Sequence, residues 1–236
     1  EALIPARSPA HLTPKFIDSA RRIERLSRII GKVEDAERFD QMANESEAAW
    51  SKAFLDPATG KVADGAQSTQ AFALGFVAVP EESRKAVFDQ LVGSLTAVED
   101  SPRLTTGIYG TWIMLEQLSK HGRSDLAYGL ANRETFPSWK WMIKNGATSL
   151  WEHWEQEQNT YSHSHPMFGS VSTWYFRWLG GIQCADDAVG FDRIMLRGID
   201  RKELPDGVPV SQLRDVFFGT LEFSARTLKL RNQPYD

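Results

Sequence analysis

Two short segments hold most of the residues able to act on a polar substrate. The first is Gly146-Ala147-Thr148-Ser149-Leu150-Trp151-Glu152-His153-Trp154-Glu155. Asn145-Gly146 ends a helix, and the short, partly β-branched residues that follow suit an extended loop. Alternate side chains of an extended segment share a face. That spacing predicts Glu152 and Trp154 on one side, with Trp151, His153 and Glu155 on the other. A carboxylate walled by indoles is partly desolvated, which makes it a better base for drawing a proton from water. A second reading makes Trp151 and Trp154 core anchors and Glu152 a solvated or ion-paired surface acid.

The second segment is Ser162-His163-Ser164-His165-Pro166-Met167-Phe168-Gly169-Ser170-Val171. His163 and His165 could ligate zinc only if Glu152 or Glu155 folded in as a third ligand. The preferred reading gives the two imidazoles hydrogen-bonding roles, toward a polar ligand or toward backbone groups at a helix start. His165-Pro166 precedes a helical pattern, so His165 sits at a loop end, where sites often form. The stripe Phe168, Val171, Trp174, Tyr175, Trp178 and Leu179 reads as a core face. Neither a Ser-His-Asp arrangement nor a phosphate-cradling glycine loop is legible. The expected metal and cofactor complement is none.

The setting of these segments is unusually aromatic. Six of eight Trp (Trp139, Trp141, Trp151, Trp154, Trp174, Trp178) fall within forty residues, with three of five His. Indoles suit the apolar faces of sugars, so the composition points to that window. The net charge of -4 and the absence of Lys/Arg runs argue against nucleic acid as a partner. The lone Cys184 excludes an internal disulfide framework and a cysteine-based zinc site. No run approaches the roughly 20 apolar residues that span a bilayer. One cysteine suits the cytosol and a secreted bacterial enzyme alike, which leaves the compartment open. A start at Glu1, without Met or an apolar signal region, suggests processing or excision from something longer.

Helices must position these segments. Thr13-Pro14 reads as an N-cap and first helical residue. Phe16, Ile17, Ala20, Ile23, Leu26 and Ile30 then recur at helical spacing up to Gly31. A second helix, about 34–55, carries Phe39, Met42, Ala43, Ala49, Trp50 and Phe54 on one side, and Asp56–Gly60 closes it as a turn. Further helices are expected near 67–76, 81–98, 109–120, 124–133, 138–144 and 167–179. Eight helical stretches with short connections and no clear strands imply antiparallel helix pairs. After Gly190, 191–196 and 219–230 lean toward strands around the turn Pro205-Asp206-Gly207. The expected organisation is helical over 1–185 and β-rich over 186–236.

In this order, the motifs resemble glycoside hydrolase family 78, the α-L-rhamnosidases. The family pattern is Tyr/Phe-Pro-Ser-Trp, then Gly-Ala-Thr-Thr-x-Trp-Glu-x-Trp, then Ser-x-Asn-His-x-x-Phe-Gly-x-Val with a Trp shortly after. This chain reads Phe136-Pro137-Ser138-Trp139, Gly146 through Trp154, and Ser162 through Val171 followed by Trp174. Leu104-Thr105-Thr106-Gly107, and Gln67 with Ala73-Leu74, are similar to upstream family motifs. The likeness covers about 15–183, and the tail loosely resembles the β-sandwich that follows the family's barrel. It implies part of an (α/α)6 toroid and inverting hydrolysis of terminal α-L-rhamnosides. By the same resemblance Glu152 is the general base, His165 a rhamnose contact, and Trp139, Trp151 and Trp154 the lining of the sugar pocket. Two departures stand out: Ser164 replaces the usual Asn, and the loop from Trp154 to Ser162 is short. Nothing before Gln67 matches the family's acid-bearing motif, so the expected partner is an N-terminal remainder of the same enzyme. Two alternatives are a non-catalytic carbohydrate-binding fragment and a related (α/α)6 glycosidase for another sugar, fucosidase- or trehalase-like.

Overall fold

The computed structural model describes residues 9–76, 79–98, 100–155 and 162–184, together with the backbone of 194–196. Residues 9–171 belong to one compact unit, and a second begins at Ser172.

The first unit is built from helix pairs. Helix α1 (Pro9–Ile29) packs along α2 (Val33–Phe54). Gly31 turns the chain between them at φ +75°, with Lys32 N–H donating to Ser27 O at 2.8 Å to close the helix end. Helix α3 (Gln67–Gly75) pairs with α4 (Glu81–Thr96), and α5 (Ile108–Lys120) with α6 (Ser124–Asn132). The antiparallel pairs expected from the sequence are therefore present.

Two details correct the expectation for α1. The helix already runs from Pro9, so Pro14 is internal rather than its first residue. Proline offers no N–H to the carbonyl four residues back. That carbonyl, of Ala10, accepts from the buried indole Nε1 of Trp50 at 3.1 Å instead. The tryptophan thereby joins the end of α2 to the start of α1. Second, the apolar stripe is only partly core: Ile17 and Ala20 are buried, whereas Phe16, Ile23, Leu26 and Ile30 are exposed. Periodicity marks a helix face, but burial needs an element to cover it, and α2 covers only one side. In α2 likewise Ala36, Ala43 and Trp50 are buried, while Ala49 is exposed.

Helices α1, α3 and α5 lie side by side, α1 on α3 and α3 on α5. Helix α5 is the most enclosed, with ten residues buried including Met114, Leu115 and Leu118. Gly75 permits its close approach to α3, since a Cβ there would meet Ile113 Cγ2 at 2.5 Å.

Short turns (31–32 and 121–123) join the helices at one end of the pairs. The longer connections at the opposite end lead into the starts of α3 and α5. The first contains a small ladder not anticipated from the sequence: β1 (Leu55–Asp56) runs antiparallel to β2 (Lys61–Val62) around the Asp56–Gly60 turn. Asp56 caps that turn, accepting from Thr59 Oγ1 at 2.7 Å and Ala58 N–H at 3.0 Å, which holds its carboxyl below the usual range. Gln70, fully buried, completes the connection. It accepts from Val62 N–H at 2.7 Å and donates to Gly60 O at 2.9 Å and Val87 O at 3.1 Å.

The expected helix 167–179 is not uniform. It opens as a 3-10 turn (Pro166–Gly169), passes through α8 (Ser170–Trp174) and ends in a π-helical turn (Tyr175–Leu179). In the second unit β3 (Ile182–Cys184) pairs antiparallel with β4 (Ile194–Leu196). The expected strand at 219–230 and the turn at 205–207 lie outside the described residues. No helix among the described residues is long and apolar enough to cross a membrane.

Candidate active site

The starts of α1, α3 and α5 are tied together at the end of the long connections. His11 in α1, buried, has its Nε2 3.0 Å from Thr69 Oγ1 in α3. Thr69 donates its hydroxyl proton to Asp64 Oδ1 at 2.9 Å, so His11 Nε2–H is the donor to Thr69. Gln67, at the head of α3, donates to Arg103 O at 3.0 Å and accepts from Thr105 N–H at 2.8 Å. Thr106 bonds Thr111 at 2.9 Å at the head of α5. Its carbonyl accepts from the indole of Trp154 at 2.8 Å. The segment bearing Glu152 is thus bolted to the end of the helix layer where α5 begins.

The residue His11 was not legible as part of this region, because one histidine on an amphipathic helix carries no sequence signal. Desolvation pushes its imidazole below the ordinary value of 6.5, and Asp64 offsets this in part. A folded-state pKa that is depressed means the unfolded chain binds the proton more readily. Stability therefore falls as pH drops through about 6.5 toward the lower folded value, and above that range the group adds no pH dependence. We expect His11→Gln to flatten the denaturation midpoint between about pH 7 and pH 5 relative to the parent. Equal slopes for both proteins would remove His11 as the titrating group.

The Glu152 loop starts from α7 (Trp139–Lys144), whose N-cap Ser138 is fully buried and accepts from Trp141 N–H at 3.0 Å. After Gly146, at φ +86°, the chain returns alongside the histidine segment. His165 N–H donates to Leu150 O at 2.8 Å, and Glu152 N–H donates to Ser162 O at 3.1 Å. Ser149 Oγ adds a bond to His163 O. Two residue steps in the Glu152 segment thus span three in the histidine segment, a bulge-like offset whose extra residue lies in 162–165. Glu152 and His165 consequently sit on adjoining rungs of one brace, with Glu152 half-buried.

The expected alternation of side chains fails here. Trp151 and Trp154 are both buried, at 3% and 2% exposure, while Glu152 and His153 lie between them half-buried and Glu155 is exposed. Residues 152–155 bend rather than extend, so the period of two does not apply. The indoles form a packed cluster. Trp139 meets Trp154 edge-on at 5.1 Å, Trp154 lies on Phe168 at 3.9 Å, and Trp139 Nε1 donates to Phe168 O at 2.9 Å. Trp151 rests against the His163 ring at 5.8 Å. Thr106, Ser138 and Phe168, which seat the cluster, had not been singled out for that role.

His165 caps the 3-10 turn, its Nδ1 accepting from Met167 N–H at 3.4 Å. An accepting Nδ1 puts the proton on Nε2, which has no described partner and can donate to a ligand. Among the described residues, no three His, Cys, Asp or Glu side chains gather closely enough to hold a metal ion.

The comparisons with known proteins agree with one another. The family model of the bacterial alpha-L-rhamnosidase 6 hairpin glycosidase domain matches residues 12–179. An alpha-L-rhamnosidase of Streptomyces avermitilis is 32% identical over 193 residues, covering 78% of this chain and 18% of that protein. The crystal structure of the Streptomyces avermitilis alpha-L-rhamnosidase complexed with L-rhamnose superposes at a TM-score of 0.74 with 30% identity, over 83% of this chain and 19% of that one. The alpha-L-rhamnosidase from Dictyoglumus thermophilum gives 0.67 with 30% identity, over 73% and 20%. The chain thus spans about a fifth of the length of these relatives. With a matching domain model over most of its length, the chain belongs to the bacterial α-L-rhamnosidase six-hairpin glycosidase family.

Proposed function

We propose that the enzyme to which this domain belongs hydrolyses terminal α-L-rhamnosides with inversion, and that Glu152 is its general base. The observation that supports this most is the backbone pairing of the Glu152 segment with the His165 segment, Glu152 N–H on Ser162 O and His165 N–H on Leu150 O. The half-buried carboxylate of Glu152 accepts a proton from water as that water attacks the anomeric carbon. His165 donates Nε2–H to a rhamnose hydroxyl. Trp139, Trp151 and Trp154, almost fully buried, act as the packed backing that holds this loop and the edge of the sugar pocket in place.

An inverting reaction also needs a carboxylic acid roughly 6.5–9.5 Å from the base to protonate the leaving oxygen. On this reading the acid comes from an N-terminal remainder of the enzyme; the chain itself covers only 18% of its relative. Proton NMR of an α-L-rhamnoside digest in the complete enzyme checks the stereochemistry. Free β-L-rhamnose should appear first and mutarotate afterwards. Initial release of the α anomer would overturn the assignment of Glu152 as a base acting on water.

A further inference from the structure

Helix α1 carries an apolar stripe that the proposed reaction does not use. Leu12, Phe16, Ile23, Leu26 and, just past the helix end, Ile30 are each 40–69% exposed. With Ser19 they follow one another at steps of four and three residues. At about 100° per residue the six positions fall within an arc of about 80°, and they run for about 27 Å. Ile29 and Val33 widen the exposed surface at its far end. Seven of the twelve large apolar side chains exposed among the described residues thus gather here. The other five are scattered, as on any protein surface.

The remaining faces of α1 are occupied. On the α2 side Ile17 and Ala20 are buried, Arg21 pairs with Asp40 at 2.6 Å, and Trp50 reaches Ala10 O. On the α3 side His11 meets Thr69, and Lys15 Nζ lies 4.9 Å from the centre of the Phe76 ring. The stripe is the third face. A strict four-three spacing is what a second helix needs in order to lie at about 20° with its side chains between those of the first. A lipid surface fits less well, because three of the four arginines on α1 are already ion-paired: Arg21 with Asp40, Arg22 with Asp18 and Arg28 with Glu24.

The row of helices indicates the source of that partner. Helix α5 packs on α3 and α3 on α1, which stands at the end of the row. The matching family model is a six-hairpin domain, whereas the described residues supply three pairs of long helices, α1–α2, α3–α4 and α5–α6. The chain spans only 18% of its Streptomyces relative, so most of the length lies elsewhere. We infer that the stripe is the seam on which a helix of the enzyme's N-terminal remainder docks, through an aliphatic face of the same spacing. His11, beside Leu12, belongs to the helix end to which Trp154 bolts the Glu152 loop. A helix seated on the stripe therefore fixes the remainder relative to the end that carries the proposed base. The inference rests on the proposed function only in taking that remainder as a partner.

The test uses the complete enzyme with p-benzoylphenylalanine in place of Phe16 or, separately, of Leu26. Both side chains are exposed, so the packing of α1 on α2 and α3 is left intact. Irradiation, digestion and mass spectrometry then identify what covers each position. Both should cross-link within one molecule to a single helix of the N-terminal remainder, at sites about ten residues apart. Covalent dimers would assign the stripe to a second copy, and cross-links elsewhere or none would leave it without this helix; each result overturns the inference. Leu26→Cys adds a second reading. Its maleimide labelling should be at least about tenfold slower in the native enzyme than in the unfolded one. Labelling as fast as in the unfolded enzyme would also overturn the inference, since Leu26 is 59% exposed without a cover. L-Rhamnose release by the parent enzyme is measured alongside. An uncovered stripe with release intact defeats the seam alone, whereas absence of release defeats the proposed function.

Discussion

Replacing Glu152 by Gln should lower kcat on an aryl α-L-rhamnoside by about 10²–10⁴-fold, the range for removing one general acid or base. The substitution keeps the shape and the backbone bond to Ser162 O, and removes only the ability to take a proton. Ground-state contacts from His165 and the indole wall should persist, so L-rhamnose affinity should stay within about threefold. A fall confined to kcat therefore separates proton transfer from binding. Turnover within about threefold of the parent would take Glu152 out of the mechanism.

The second large effect concerns the anchor of the same loop. Trp154 is 2% exposed, packed on Phe168 and Trp139, and hydrogen-bonded to Thr106 O. Trp154→Ala removes a large buried ring and should cost about 3–5 kcal/mol of stability. Trp154→Phe keeps most of the packing but leaves Thr106 O without the indole donor, a loss of about 1–2 kcal/mol. Denaturant unfolding of the helical unit reads both. Activity should fall further than stability in each, because a loop that shifts by about an ångström misplaces the base. A Trp154→Ala variant within about 1 kcal/mol of the parent would mean that the indole does not anchor this loop.

The helix pairs were legible because amphipathic periodicity and Gly or Pro punctuation are local. What periodicity could not say is which face has a neighbour, and hence Phe16, Ile23, Leu26 and Ile30 lie exposed on α1. Pro14 misled for a related reason: only the tertiary bond from Trp50 reveals why a proline is tolerated inside that helix. In the candidate site, Glu152 and His165 were singled out through motif resemblance, whereas the pairing of their segments, 150–152 with 162–165, is tertiary and no local pattern encodes it. The alternation assumed for 151–155 failed because residues 152–155 bend rather than extend.

Chemical rescue bears most directly on the role given to Glu152. Glu152→Ala removes the base and opens room beside the anomeric carbon, where azide, a nucleophile needing no deprotonation, can enter. Azide should restore turnover of an activated α-L-rhamnoside in this variant and yield β-L-rhamnosyl azide, the inverted adduct, as the leaving group departs. A variant that stays inert with azide, or that gives the α-azide, would contradict water activation by this carboxylate on the face opposite the leaving group.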